Sequence, residues 1–246
     1  KIDSEKIDEP DPLKRNISRI LALYNQNDFS TMLSESRNLV GEHPLSDAAW
    51  SLLGTAAKTV GLYDEAIEAF ENAIKFQPDS ANAYFNLGTV FQDKQDFAKA
   101  ITSYQKSLKI NVNSVEAYNN LGVVLYSEER FTESLAAYDK AISIKPTFPN
   151  AHFNKANLLK RQGSYEQALF SYEEAIRLDS RFIGAHNNLG VLLEELGRPE
   201  ESVASYYKVL QIEPDNSDAL RNIAKVLTQF RFGGPNASMQ TVIINI

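Results

Sequence analysis

Between residues 115 and 148, apolar and small side chains recur at helical spacing. Tyr118, Leu121, Gly122 and Leu125 fall at i, i+3, i+4 and i+7, one face of a first helix. Phe131, Ser134, Leu135, Tyr138 and Ala141 trace a second stripe of the same kind. Each stripe needs another element to cover it, so the pattern predicts two helices packed face to face. The pair then recurs along the chain. Trp50, Tyr84, Tyr118, His152, His186 and Leu220 stand 34 residues apart. Gly54, Gly88, Gly122, Ala156, Gly190 and Ala224 keep the same step, as do Ala66, Ala100, Ser134, Ala168 and Ser202. Phe70, Tyr104, Tyr138, Tyr172 and Tyr206 form a further series. Pro44, Pro78, Pro146 and Pro214 close their units, with Val112 and Ser180 in the same place elsewhere. Small residues let helices approach closely, and aromatics fill the space between neighbours. The closing proline stops the second helix, because the residue before a proline disfavours the helical region. Pro149 and Pro199 fall where new helices start, the helical position proline tolerates best.

This pattern resembles the tetratricopeptide repeat family, whose signature of Trp, Leu-Gly, Ala, Phe and Pro is matched by Trp50, Leu53, Gly54, Ala66, Phe70 and Pro78. The resemblance implies an all-α fold, a right-handed superhelical solenoid of antiparallel helix pairs. Five full repeats cover 47–80, 81–114, 115–148, 149–182 and 183–216. Residues 13–46 keep Leu23, Phe29 and Pro44 but carry Ile20 and Met32 at the small positions, and are read as a degenerate N-terminal repeat. Residues 217–231 are expected to form a helix that caps the open end of the stack. Residues 1–12 read as a flexible leader, and 232–246 as a tail or the start of a further domain.

One position runs against helix propensity. Numbering each unit from its start, position 6 holds Asn86, Asn120, Asn154, Asn188 and Asn222, with Leu52 in the first full repeat. Asparagine costs roughly 0.5 kcal/mol against alanine, so five of them cost about 2–3 kcal/mol. Position 6 lies about 200° around the helix from the buried position 8 and faces away from the stack interior. The family resemblance implies that it lines a concave groove. A carboxamide offers one acceptor and two donors, which suits the N–H and C=O groups of an extended peptide. The alternative is that these asparagines are a family habit that supports local helix contacts. On the first reading, alanine at Asn120, Asn154 and Asn188 removes binding and leaves stability equal or higher.

Asn119, shared at its position only by Asn187, is a variable groove position that would tune specificity. Tyr126, Asn157, Lys160 and Arg161 are further groove candidates, with a basic spot at Lys160 and Arg161 beside an acidic one at Glu194 and Glu195. Solvated helix ends are the alternative reading of those charges. The carboxylate clamp of chaperone-binding members needs basic residues at positions 5 and 2 of particular repeats and at position 6 of the third, where this chain carries asparagine. Position 2 reads Ala48, Asn82, Glu116, Asn150, Gly184 and Asp218, so that mechanism is not expected.

Composition narrows the function further. Twenty-five basic against 32 acidic residues leave a net charge of −7, with no cluster of Lys and Arg, which argues against a nucleic-acid binder. No apolar run approaches the length that spans a membrane. Cysteine is absent, which removes disulfides and thiolate chemistry and fits a cytoplasmic protein, as it would a cysteine-free periplasmic one. Neither a phosphate loop nor a nucleophile elbow appears, and of three histidines His152 and His186 sit at packing positions. No metal, cofactor or catalysis is expected. The chain begins at Lys1 without a signal-peptide core, and reads as cut from a longer protein or processed; "NIS" at Asn16 and "NAS" at Asn236 are then incidental glycosylation patterns.

Three functions remain. The first is a protein-interaction module that takes an extended peptide or partner segment. The second is the non-catalytic recognition arm of a larger modifying enzyme. The run of position-6 asparagines resembles the arrays of protein O-linked N-acetylglucosamine transferases. The exit "NIAKVLTQFRFGGPNA" resembles arrays that precede sulfotransferase- or oxygenase-like domains. The third is a scaffold that self-associates through its array ends or the apolar "TVIINI" tail.

Overall fold

The computed structural model describes residues 11–229, which form thirteen α-helices and no strand. In chain order these are α1 (Pro12–Asn25), α2 (Phe29–Glu42), α3 (Asp47–Thr59), α4 (Tyr63–Phe76), α5 (Ala81–Asp93), α6 (Phe97–Ile110) and α7 (Val115–Ser127). There follow α8 (Phe131–Ile144), α9 (Pro149–Arg161), α10 (Tyr165–Leu178), α11 (Ile183–Glu195), α12 (Pro199–Ile212) and α13 (Ser217–Gln229). The expected leader, apart from Asp11 and Pro12, and the tail from residue 230 lie outside the described residues. No helix among the described residues is long and apolar enough to cross a membrane.

Local chemistry sets where the helices begin. Ser46 Oγ accepts from Ala49 N at 3.2 Å, Ser80 Oγ from Ala83 N at 3.3 Å and Asn216 Oδ1 from Ala219 N at 3.0 Å. Each satisfies one of the amide groups a helix start leaves unpaired. Pro149 and Pro199 each open their helices, as the sequence predicts. Within each helix pair the turn is closed by a residue at positive φ, always at position 15. Gly61, Gly163 and Gly197 adopt it at φ 79°, 75° and 69°, while Asn27, Gln95 and Glu129 adopt it at 59°, 60° and 58°. Only glycine enters that region without a Cβ penalty.

The chain divides into two compact units within α7, between Val124 and Leu125. In the first, α1 packs on α2, α3 on α4, and α5 on α6. In the second, α9 packs on α10, α11 on α12, and α13 closes against α12. Val203, Tyr206, Val209, Ala219, Ile223 and Val226 form one core, so the predicted capping helix buries a full face. The small and aromatic registers meet as their spacing implies. A Cβ on Gly54 would stand 2.7 Å from the Phe70 ring, one on Gly88 2.7 Å from Tyr104, and one on Gly190 2.5 Å from Tyr206.

The anchor series has a second role. Trp50 Nε1 donates to the Pro44 carbonyl at 2.8 Å. His152 Nε2 meets the Pro146 carbonyl at 2.9 Å, and His186 Nε2 the Ser180 carbonyl at 3.1 Å. Each tie joins a helix to the loop that precedes it by six residues. An indole and an imidazole both carry a ring N–H on a flat body, which is why histidine can stand in the tryptophan position.

Candidate functional site

The five position-6 asparagines sit on α5, α7, α9, α11 and α13, and all are half-buried, neither exposed nor sealed in the core. Two of them meet aromatic hydroxyls from the preceding repeat. Tyr104, fully buried on α6, donates its hydroxyl to Gln92 Oε1 at 2.7 Å and stands beside Asn120. On α10, Tyr172 donates to Asn157 Oδ1 at 2.6 Å and stands beside Asn188. On α12, Tyr206 donates to Glu194 Oε1 at 2.6 Å. Burial pushes all three phenols well above their ordinary range, and for Tyr206 the Glu194 carboxylate adds to the rise. All three hydroxyls therefore stay protonated donors with fixed acceptors.

One cluster ties these groups together. Asn157 Oδ1 accepts both from Tyr172 and from Asn188 Nδ2, the latter at 2.7 Å. Two donors on one oxygen settle which way the Asn157 carboxamide faces, leaving its amino group to donate elsewhere. The Asn188 oxygen is in turn left to accept.

Charges around this cluster are paired between neighbouring elements. Lys160 Nζ lies 2.9 Å from Glu195 Oε1, and Arg161 Nη2 2.6 Å from Glu129 Oε1. The Arg161 guanidinium also stacks 5.5 Å from the Tyr126 ring centre and 5.1 Å from that of Phe131. Lys225 Nζ reaches Glu194 Oε2 at 2.7 Å, where the carboxylate is only 9% exposed. The basic and acidic spots read from the sequence are thus joined into inter-helix bridges. Arg161 and Lys225, about half exposed, gain little from their pairing and can exchange partners, whereas Lys160 is 22% exposed.

Together these groups line a cleft of about 550 Å³ in the second unit. Its walls are Tyr126, Asn157, Lys160, Arg161, Tyr172, Asn188 and Glu195. Five of the groove residues singled out from the sequence, Tyr126, Asn157, Lys160, Arg161 and Asn188, therefore share one surface. Asn86 lines a separate cleft in the first unit. Asn154 and Asn222 stand on α9 and α13 without lining either. Asn119 is 7% exposed and donates Nδ2 to Asn120 Oδ1 at 3.2 Å. It reaches the surface through Asn120 rather than directly. Sequence reasoning placed Tyr172 and Tyr206 in the packing and missed their hydroxyls as part of the polar wall. No residue signature marks them: Gln92, Asn157 and Glu194 accept from Tyr104, Tyr172 and Tyr206, yet the Tyr138 unit carries Val123 and Tyr126 at the corresponding positions 9 and 12.

Among the described residues no group of His, Cys, Asp and Glu could hold a metal ion.

Comparison with known proteins follows the repeats. A family model described as TPR repeat matches residues 61–95, 90–128, 124–163 and 156–197, and one described as Tetratricopeptide repeat matches 184–216. No curated protein sequence matches the chain. Among solved structures, MamA is 25% identical with a TM-score of 0.61, over 67% of this chain and 96% of that one. YrrB, described as a TPR protein with an unusual peptide-binding site, is 21% identical with a TM-score of 0.60, over 77% and 97%. PilF of Pseudomonas aeruginosa is 14% identical with a TM-score of 0.74, over 87% and 97%.

Proposed function

The chain belongs to the tetratricopeptide repeat family, and from that we propose that it is a protein-interaction module whose second unit captures an extended peptide segment. The observation that carries the reading is the fixed pair Asn157 and Asn188. Beside each other they present one free amide donor and one free acceptor. That is the complement of one peptide unit, and it selects backbone rather than a particular side chain. Lys160 and Arg161 flank the pair, the latter with an exchangeable ion-pair partner, so an acidic side chain next to the gripped peptide unit gains a charged contact. Tyr126 offers an aromatic face to an apolar neighbour. Asn154 and Asn222 add amides elsewhere in the same unit, while Asn86 and Asn120, the latter held by Asn119, do so in the first. The peptide-binding site of YrrB, a protein alike in fold, supports a ligand of this class. No chemical step is proposed for the chain.

The test is a selection of random peptides on the immobilised chain, followed by titration of the enriched peptides against the wild type and Lys160→Ala/Asn188→Ala. The double variant is expected to bind at least tenfold more weakly while keeping its helical circular dichroism. Equal affinity in both proteins would place the binding surface elsewhere.

A further inference from the structure

The site in the second unit has a counterpart in the first. A cleft of about 350 Å³ there is lined by Tyr24, Thr55, Lys58, Thr59, Phe70 and Asn86. Shifted by 102 residues, three repeat lengths, these become Tyr126, Asn157, Lys160, Arg161, Tyr172 and Asn188, six of the seven residues that line the cleft already described. The correspondence extends past the walls. Lys58 Nζ lies 3.4 Å from Asp93 Oδ2, and Lys160 Nζ lies 2.9 Å from Glu195, which is 102 residues beyond Asp93. Tyr24 packs on Phe29 with ring centres 5.9 Å apart at 59°, and Tyr126 on Phe131 at 5.8 Å and 55°. Tyr104 donates to Gln92 as Tyr206 donates to Glu194, again with the same step.

The cause is a second period laid over the first. Position 12 reads Tyr24, Lys58, Gln92, Tyr126, Lys160 and Glu194, so ring, cation and acceptor recur every third repeat. At Gln92 and Glu194 the position takes up a buried tyrosine hydroxyl, which accounts for the acceptor; the ring of Tyr24 and Tyr126 and the cation of Lys58 and Lys160 accept no such bond.

We propose that each unit carries one copy of the same peptide site, and that the chain takes two segments of one chemical class: an extended backbone bearing an acidic side chain beside an apolar one. This rests on the reading of the second-unit cleft given above. In the first-unit copy, the Asn86 carboxamide meets no hydrogen-bond partner among the described residues, so both its ends are available to a peptide unit. Lys58 Nζ uses one donor on Thr89 Oγ1 at 2.9 Å and faces Asp93 at a longer distance, which leaves a donor for an incoming carboxylate. The ring of Tyr24 supplies the apolar wall. The differences rank the copies. Thr55, whose hydroxyl donates to the Ser51 carbonyl at 2.9 Å, stands where Asn157 supplies an amide, Thr59 where Arg161 brings a second cation, and Phe70 where Tyr172 orients that asparagine, so Asn86 alone grips backbone in this copy. The first-unit copy is therefore the weaker of the two.

The probe is acetyl-Leu-Asp-Leu-amide titrated into the ¹⁵N-labelled chain, read at the side-chain amide signals of Asn86 and Asn188. Both signals are expected to shift and saturate, Asn86 with the higher midpoint. Lys58→Ala should weaken the Asn86 response at least fivefold and leave that of Asn188 unchanged; Lys160→Ala should do the reverse. Both lysines are half-buried, so the backbone amide spectrum is used to report that each variant is folded. A saturating response at Asn188 alone would overturn the second site and leave the first standing. Silence at both would overturn both readings. An Asn86 response unchanged in Lys58→Ala, or equal responses to acetyl-Leu-Asn-Leu-amide, would overturn the assigned chemistry.

Discussion

Tyr172→Phe and Asn157→Ala, alone and together, separate a packing role from a binding role for the cleft. The Tyr172 ring is fully buried, and its hydroxyl donates to Asn157 Oδ1 at 2.6 Å. Phenylalanine keeps the ring and removes the donor, while Asn157 Oδ1 retains its second donor from Asn188 at 2.7 Å. The loss is that of one hydrogen bond with no buried group stranded, about 1 kcal/mol. Asn157→Ala is the costlier change. It leaves a buried hydroxyl without its acceptor, about 1–3 kcal/mol, against which the gain in helix propensity is about 0.5 kcal/mol.

With the acceptor already gone, the hydroxyl is a liability, and adding Tyr172→Phe should cost nothing or restore stability. The coupling between the two changes is therefore expected to be about 1 kcal/mol or more. The assay is urea denaturation of the four proteins followed by circular dichroism, compared at their midpoints with the slope held common. The chain contains its own version of the double change. Phe70 and Thr55 occupy the corresponding places 102 residues earlier, where neither the phenolic hydroxyl nor the carboxamide is present. If Tyr172→Phe costs the same with Asn157 present or absent, the hydroxyl does not depend on that carboxamide and the fixed orientation of the cleft is refuted.

Three other outcomes are expected. Gly88→Ala places a Cβ 2.7 Å from the buried Tyr104 ring, which its bond to Gln92 holds in place; overpacking of about 1–3 kcal/mol should outweigh a propensity gain of about 1 kcal/mol and lower the melting temperature. Gln95→Gly relieves a side chain at φ 60°, a penalty of roughly 1–2 kcal/mol, and should raise the urea midpoint even after the larger unfolded-state entropy of glycine is subtracted. Tyr104, Tyr138, Tyr172 and Tyr206 all have pKa values raised by burial, so folding favours the phenol over the phenolate. Their stabilisation is whole below the unfolded value near 10 and falls above it by about 1.4 kcal/mol per pH unit for each. Alkaline titration should therefore show a steep unfolding transition that releases these four together. A smooth absorbance change at 295 nm with helicity intact would contradict it.

Much of the architecture is legible because a solenoid repeats one local solution. The 34-residue step places Gly88 against Tyr104 and Gly190 against Tyr206 before any coordinates are known, and Pro149 and Pro199 announce their helices. The positive-φ turn at position 15 was not legible. Three of its six occupants, Asn27, Gln95 and Glu129, are not glycine, so no residue signature marks the place. The ion pairs escaped for a different reason. Lys160 and Arg161 are adjacent in sequence, yet one turns forward to Glu195 and the other back to Glu129. Which way a long side chain turns depends on what the flanking repeats present, and single-helix reasoning does not contain it.

The asparagine ladder shows how the two roles interlock. Read from propensity alone, alanine at Asn120, Asn154 and Asn188 should hold or raise stability, since each asparagine disfavours the helix. At Asn188 the structure opposes that sign, because the side chain donates to Asn157 and helps fix the oxygen that receives a buried phenol. Asn120 stands beside the buried Tyr104 hydroxyl, which itself donates to Gln92, and its oxygen accepts from Asn119 at 3.2 Å. Both carboxamides therefore make internal contacts that alanine loses. Asn86 differs, because the ring before it is Phe70 and carries no hydroxyl to satisfy. Asn86→Ala thus removes a helix-disfavouring residue and breaks no internal bond. It should leave stability equal or higher while weakening peptide binding in the first unit. Asn188→Ala should lose both, and a melting temperature that moves the same way in the two variants would undo the distinction.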